Sequence, residues 1–284
     1  MYRKLLVIIL IPSLLMSGCS FTITLPVAQK AGLTVVDQIN VPLPTNTTQV
    51  VDLSLKFGAG ILKLNSGAGN LVTGTATYNV TDFKPTVTVA GSSVSIEQGN
   101  WRLTGIPDIS NLKNEWDLAL GSLPIALNID AGAYHAEYEL GGLALTSLSI
   151  SDGASDAKLN FASPNLTEMS LLSYSTGASN VSLTGLGNAN FTNLKFDSGA
   201  GNYTLDFSGQ FKRAANVHIG TGVSNMTLVI PSGIPVQVTV DGALSNVTYG
   251  SGWTKNGNVY SQAGTGPQLT IVADIGAGNL TLTR

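Results

Sequence analysis

The chain repeats itself at short range. A small-residue turn of Gly-Ala type, followed by an alternating apolar run, recurs through its second half. The copies are Gly132-Ala133-Tyr134-His135, Gly153-Ala154-Ser155-Asp156, Gly177-Ala178-Ser179-Asn180, Gly199-Ala200-Gly201-Asn202, Gly222-Val223-Ser224-Asn225, Ala243-Leu244-Ser245-Asn246 and Gly276-Ala277-Gly278-Asn279. Their fourth positions fall at 135, 156, 180, 202, 225, 246 and 279, spaced by 21, 24, 22, 23, 21 and 33 residues. A second period-two run precedes most turns, as in Leu148-Ser149-Ile150 and Val236-Gln237-Val238-Thr239-Val240, and such runs between Gly, Asn and Ser turns read as β-strands. A unit this small cannot bury its own apolar side, so neighbouring units must stack like on like. The expected class is all-β, a parallel β-solenoid of about 22-residue coils with an N-terminal β unit. Small residues suit corners that stack tightly. The charged content of only 11% suits a stack that sets like residues above one another.

The same signature appears early, in Lys56-Phe57-Gly58-Ala59-Gly60-Ile61 and again in Ser66-Gly67-Ala68-Gly69-Asn70-Leu71. The two lie so close together that a hairpin is expected rather than a full coil. The sequence therefore predicts an N-terminal β domain over 49–128 and a regular solenoid over 129–284. Residues 19–48, with Pro26, Pro42 and Pro44 and no helical period, read as a tether. No convincing helix is found; the least regular stretch is Leu103–Asn114, a loop with a short helical turn.

The first eighteen residues read as a secretory leader. Arg3 and Lys4 precede an apolar run from Leu5 to Leu15, which is shorter than the roughly 20 residues needed to span a bilayer. Leu15-Met16-Ser17-Gly18-Cys19 then resembles a bacterial lipobox, with Met in place of the usual Leu three residues before the cysteine. It implies lipidation of Cys19, the only cysteine, and attachment to the membrane through that lipid. The alternative is an ordinary cleaved leader with an incidental cysteine. Either way the protein is expected outside the cytoplasm, and with the lipid it is anchored to the cell membrane or an outer membrane. Removing Arg3 and Lys4 leaves 12 basic against 17 acidic residues, which excludes a nucleic-acid partner with a basic face.

The segment from Leu55 to Gly60, followed by Ser66-Gly67-Ala68-Gly69-Asn70-Leu71-Val72-Thr73-Gly74, resembles the N-terminal domain of the bacterial toast-rack family. The later Gly-Ala turns are similar to the "putative adhesin" and cell-wall-active-antibiotic-response groups. The resemblance spans most of residues 49–284. It implies an extracytoplasmic β-solenoid and supplies no catalytic residues.

Candidate chemistry is sparse. Asp130, Asp197, Asp241 and Asp274 recur five residues before the repeat anchor, while the nearest acid of the second copy, Asp152, stands one position later. The file could bind cations, or each Asp could cap its corner by accepting from a nearby backbone N–H. His135 and His218 are far apart in sequence, and Gly-x-Ser-x-Gly, His-Glu-x-x-His and phosphate-loop motifs are absent. Trp253 and Tyr260 lie in the insertion that lengthens the last interval, on a hairpin with an Asn-Gly turn. They read either as an exposed finger for glycan or protein contact or as a cap on the end of the stack. No cofactor or metal is expected. The leading functional reading is a non-enzymatic surface lipoprotein contacting cell-wall glycan or another envelope protein. The alternatives are a polysaccharide-acting β-helix enzyme and an envelope-stress regulator acting through a partner.

Overall fold

The structure is a computed structural model that describes residues 31–46, 48–99, 112–243 and 246–284. The leader, Cys19 and most of the Leu103–Asn114 stretch lie outside the described residues. The strands are β1 (Val35–Val41), β2 (Val51–Ala68), β3 (Val72–Tyr78), β4 (Pro85–Ala90), β5 (Ser93–Gln98), β6 (Asn114–Gly121), β7 (Pro124–Glu139) and β8 (Ala144–Asn160). They continue as β9 (Met169–Thr184), β10 (Phe191–Asp206), β11 (Ala215–Val229), β12 (Val236–Gly242), β13 (Asn246–Tyr249), β14 (Thr254–Asn256), β15 (Val259–Gln262) and β16 (Leu269–Thr283). Among the described residues the only helical pieces are single 3₁₀ turns at Thr81–Phe83 and Leu186–Ala189. The protein is all-β, and its strands join in one large, mostly parallel sheet.

Each long strand is two arms meeting at a Gly-Ala corner, or in β11 at Gly222-Val223. In β8 the inward residues are Leu148, Ile150 and Asp152 before the corner but Ser155, Ala157 and Leu159 after it. The alternation changes parity at Gly153-Ala154, so both arms turn their apolar side to the same interior. β10 shows the consequence. The rings of Phe196 and Tyr203 lie with centroids 5.2 Å apart, whereas seven residues of straight strand would separate them by about 23 Å. The corners stack glycine on glycine. A Cβ added to Gly177 would meet the carbonyl oxygen of Gly153 at 2.3 Å, and one on Gly199 would meet that of Gly177 at 2.6 Å.

The repeat anchors pair with one another: Asp156 with Asn180, Asn180 with Asn202, and Asn202 with Asn225. Leu, Ile, Phe and Tyr from both arms of successive strands thereby form one core cluster along the stack, from Leu53 and Leu55 through Tyr174 and Phe196 to Leu280 and Leu282.

Four expectations are corrected. First, Val35–Val41, read as tether, form β1 and pair antiparallel with β3, burying Ile39 and Val41. Two prolines nearby masked a clean alternation. Second, β2 is one bent strand and not a hairpin. It carries the corner at Gly58-Ala59 and pairs in parallel with β7 on both sides of that corner, while Gly67–Asn70 is the turn towards β3, which pairs with β6. Third, the boundary at 128/129 falls inside β7, because β2 already has the geometry of the later strands. Fourth, the last copy does not take the last place. β16 lies between β11 and β12, so Asn279 pairs with Asn225 and Asn246 pairs with Asn279.

Candidate functional site

Polar groups concentrate at two places on the stack. The first is inside the corners. At three corners in the middle of the stack the flanking inward residues are small and polar: Asp152 and Ser155, Thr176 and Ser179, Thr221 and Ser224, all buried. Asp152 is the centre of this column. Its Oδ2 accepts from Tyr174 Oη at 2.9 Å, Ser155 Oγ at 3.1 Å and Tyr134 Oη at 3.2 Å. Its Oδ1 accepts from Thr176 Oγ1. Ser179 Oγ closes the group, accepting from the backbone N–H of Ser155 at 2.8 Å and lying 3.1 Å from Ser155 Oγ. Tyr138 Oη donates to Tyr134 Oη at 3.1 Å. Burial, reinforced by Tyr138 and Asp152, holds the Tyr134 phenol far above its ordinary range, and burial does the same for Tyr138 and Tyr174. Tyr134 and Tyr174 act as neutral donors to Asp152, and Tyr138 donates to Tyr134. The arrangement holds three successive strands in register, and its buried position leaves no room for a bulky substrate.

The second place is the outer face of the second arms. Asn279 Nδ2 donates to Asn225 Oδ1 at 2.9 Å, Asn225 to Asn202 at 3.0 Å, and Asn202 to Asn180 at 3.0 Å. Each inner amide spends one N–H and one oxygen lone pair on this ladder, which leaves one of each facing solvent. Two residues along, Ser182, Thr204, Thr227 and Thr281 pair in the same register. The face is uncharged at these two columns. Towards the N-terminal end the same columns become charged, through His135, Glu137, Asp156, Lys158 and Lys63.

The aspartate file exists as a register column but not as a cluster. Asp130 pairs with Ser151 and Asp197 with Gly220, so serine and glycine interrupt the run; only Asp241 and Asp274 are direct neighbours. Asp197 carries an ion pair to Lys195 at 2.7 Å and Asp241 accepts from Asn258 at 3.0 Å. Among the described residues, no group of three or more His, Cys, Asp or Glu is placed to hold a metal ion. His135 lies 3.4 Å from Asp156 and 3.5 Å from Glu137, and His218 sits on the first arm of β11, so the two histidines do not meet.

The exposed-finger reading of Trp253 and Tyr260 is corrected: they are 7% and 3% exposed and belong to the core cluster. Tyr260 stands opposite Lys255 rather than Trp253, and the two-residue turn is Gly257-Asn258. β15 instead pairs along the outer side of β12, so the hairpin covers a strand that would otherwise end the sheet. Asp152 and the Asn ladder are the features that reading the chain alone did not assign. The visible signal of Asp152 was its one-residue offset from the file, since a slip of one turns a strand residue to the other face, and that of the ladder was Asn recurring at the fourth position of the copies.

Comparison with known families decides the family. The profile described as the N-terminal domain of toast_rack, DUF2154, matches residues 30–171 and 164–229. The chain belongs to the toast-rack family. The match begins ahead of β1 and runs through β11, well past the early segment that carried the resemblance. No curated protein matches this toast-rack chain. Among solved structures, a "putative cell adhesion protein" from Clostridium sporogenes ATCC 15579 is similar at 19% identity and TM-score 0.48, covering 88% of this chain and 99% of its own. A "putative adhesin" from Parabacteroides merdae ATCC 43184 is similar at 10% identity and TM-score 0.38, covering 89% and 97%.

Proposed function

We propose that this toast-rack protein is a non-enzymatic, extracytoplasmic lipoprotein. Lipid on Cys19 holds it at the envelope, and its stacked strands are the coils of a β-solenoid of about 22 residues each. The uncharged part of its outer face, over β9, β10, β11 and β16, contacts cell-wall glycan. The observation that carries the reading is the Asn ladder with its row of Ser and Thr, a flat array in which every inner amide keeps a free donor and a free acceptor. Sugar hydroxyls are donors and acceptors at once, so an uncharged array of both matches them without requiring a counter-charge. Backbone bonds between the connections, such as Phe161 N–H to Thr184 O and Phe207 N–H to Val229 O, support continuous coils.

Two measurements test the reading. The chain expressed in its host should partition with membranes, and Cys19→Ala should move it to the soluble fraction. Co-sedimentation with purified cell-wall sacculi should retain the parent chain and lose at least tenfold in affinity for the Thr204→Glu/Thr227→Glu double variant. Equal retention of the two would remove glycan contact from this face.

A further inference from the structure

The two ends of the sheet are finished differently. At the C-terminal end the hairpin of β14 and β15 covers β12, and its own outer strand is three residues long and carries Lys255. Short, charged edges of this kind discourage further pairing. At the N-terminal end the described outer strands are β1, which carries Asp37, and β4, which branches off β2 through β5 and has none of these protections. Among the described residues β4 pairs only with β5. Its sequence, Pro85-Thr86-Val87-Thr88-Val89-Ala90, has no charge, and Val87 and Val89 are 42% and 58% exposed.

The register identifies which backbone groups are open. Asp52 N–H bonds Ser92 O, so the even-numbered residues of β5 direct their amide groups to β2 and the odd-numbered ones direct theirs to β4. Ser93, Ser95 and Glu97 therefore bond Ala90, Thr88 and Thr86. The N–H and C=O groups of Val87 and Val89 point away from the sheet. Such a row is a template for another strand.

We propose that β4 pairs with β4 of a second copy of this chain, antiparallel about a two-fold axis through Thr88. In that register Val87 opposes Val89 of the second copy and Val89 opposes its Val87. All four open N–H groups then meet open C=O groups, and the exposed valines lie side by side. The pattern is self-complementary, as a two-fold interface requires. A centre at Thr86 or Val87 sets Pro85, which has no N–H, opposite a valine, and a centre at Val89 or Ala90 sets Gly91, in the turn beyond the strand, opposite one. The contact is small beside the roughly 1,200–2,000 Å² of stable interfaces, so it is a weak association that grows with local concentration.

Disulfide trapping in the full chain reads such a contact directly. Thr88 would face Thr88 of the second copy as a non-hydrogen-bonded pair, with Cα atoms about 4.5 Å apart, which suits a disulfide. Under mild air oxidation with a copper catalyst, Thr88→Cys should give a covalent dimer at least fivefold above the parent chain, which retains Cys19. Thr86→Cys, on the same strand but two residues from the axis, should stay at the parent level. Adding Val89→Pro to Thr88→Cys removes one outward N–H and leaves the β4–β5 bonds intact, and should abolish the excess. Sedimentation velocity of the unsubstituted chain provides a second readout, with a monomer–dimer equilibrium expected at high concentration and its loss in Val89→Pro. Equal trapping at 86 and 88, or a strictly monomeric parent chain, would overturn the proposal.

Discussion

Asp152 stands one position away from the column that holds Asp130, Asp197, Asp241 and Asp274, and that step changes its surroundings from solvent to protein. Outward aspartates tolerate substitution because water replaces whatever they bond. Asp152 does not have that freedom. Tyr134, Tyr174, Ser155 and Thr176 all direct hydroxyls at it, and removing the carboxylate leaves buried donors without an acceptor. Asp152→Ala should therefore lose about 2–4 kcal/mol in urea denaturation, while Asp152→Asn, which keeps one acceptor oxygen, should lose less than half of that. A loss below about 0.5 kcal/mol for Asp152→Ala would mean that the column does not hold the strands. Glycines divide in the same way. Gly278 has φ of +120° and a Cβ there would sit 1.9 Å from Ser224 O, whereas Gly257, at φ of +60°, has open space around it. Gly257→Ala should cost only the left-handed backbone term of about 1–2 kcal/mol, and Gly278→Ala clearly more, since an adjacent strand must also move. Matched melting curves of the two variants would settle the order.

The placing of β16 decides how the end of the stack is held. It pairs with β11 on one side and with both β12 and β13 on the other. Strands that come earlier in sequence therefore wait for the last one. Truncation after Gln268 should leave β11 with an open edge and β12 with only β15, and limited proteolysis should then cut first within 215–262. The segment from β7 to β9, paired on both sides by other strands, should resist longer. Uniform digestion would argue that the whole sheet unfolds as one unit. This element also shows how far the sequence could be read. The Gly-Ala copies and their spacing disclosed the parallel register, because identical corners have one way to stack and Asn falls on Asn when they do. The interval of 33 residues disclosed an insertion. It did not disclose that the final copy slips inside its predecessor, since copies with equal corners fit either place equally well and only the hairpin of β14 and β15 against β12 excludes the simpler order. β1 was obscured for a local reason, the prolines that follow it, and Asp152 because its role depends on tyrosines from two neighbouring strands.

At the scale of the whole molecule, the ionisable groups whose range is displaced include an exposed pair and a set of buried phenols, and this gives the stability an uneven dependence on pH. At the surface, Lys56 holds Glu97 below its usual value by a hydrogen bond, with Ser95 assisting, in an exposed pair that salt screens. Protonating such groups removes little. The phenols are different. Burial, with help from the hydrogen bond and charge of Asp37, pushes Tyr78 up to about 12, and Tyr134, Tyr138 and Tyr174 are pushed up by burial in the core. In the unfolded chain each would ionise near 10. A folded value above the unfolded one means that the unfolded state releases its proton first as pH rises. The stabilisation is thus fully present below about pH 10 and is lost progressively as pH climbs through 12. Thermal unfolding midpoints should form a plateau between about pH 6 and 9 and fall steeply above 10. Tyr78→Phe, which cannot ionise, should soften the fall between 10 and 12 at the expense of its bond to Asp37. A midpoint that held steady to pH 12, or a decline already complete by pH 9, would contradict the burial of these four rings.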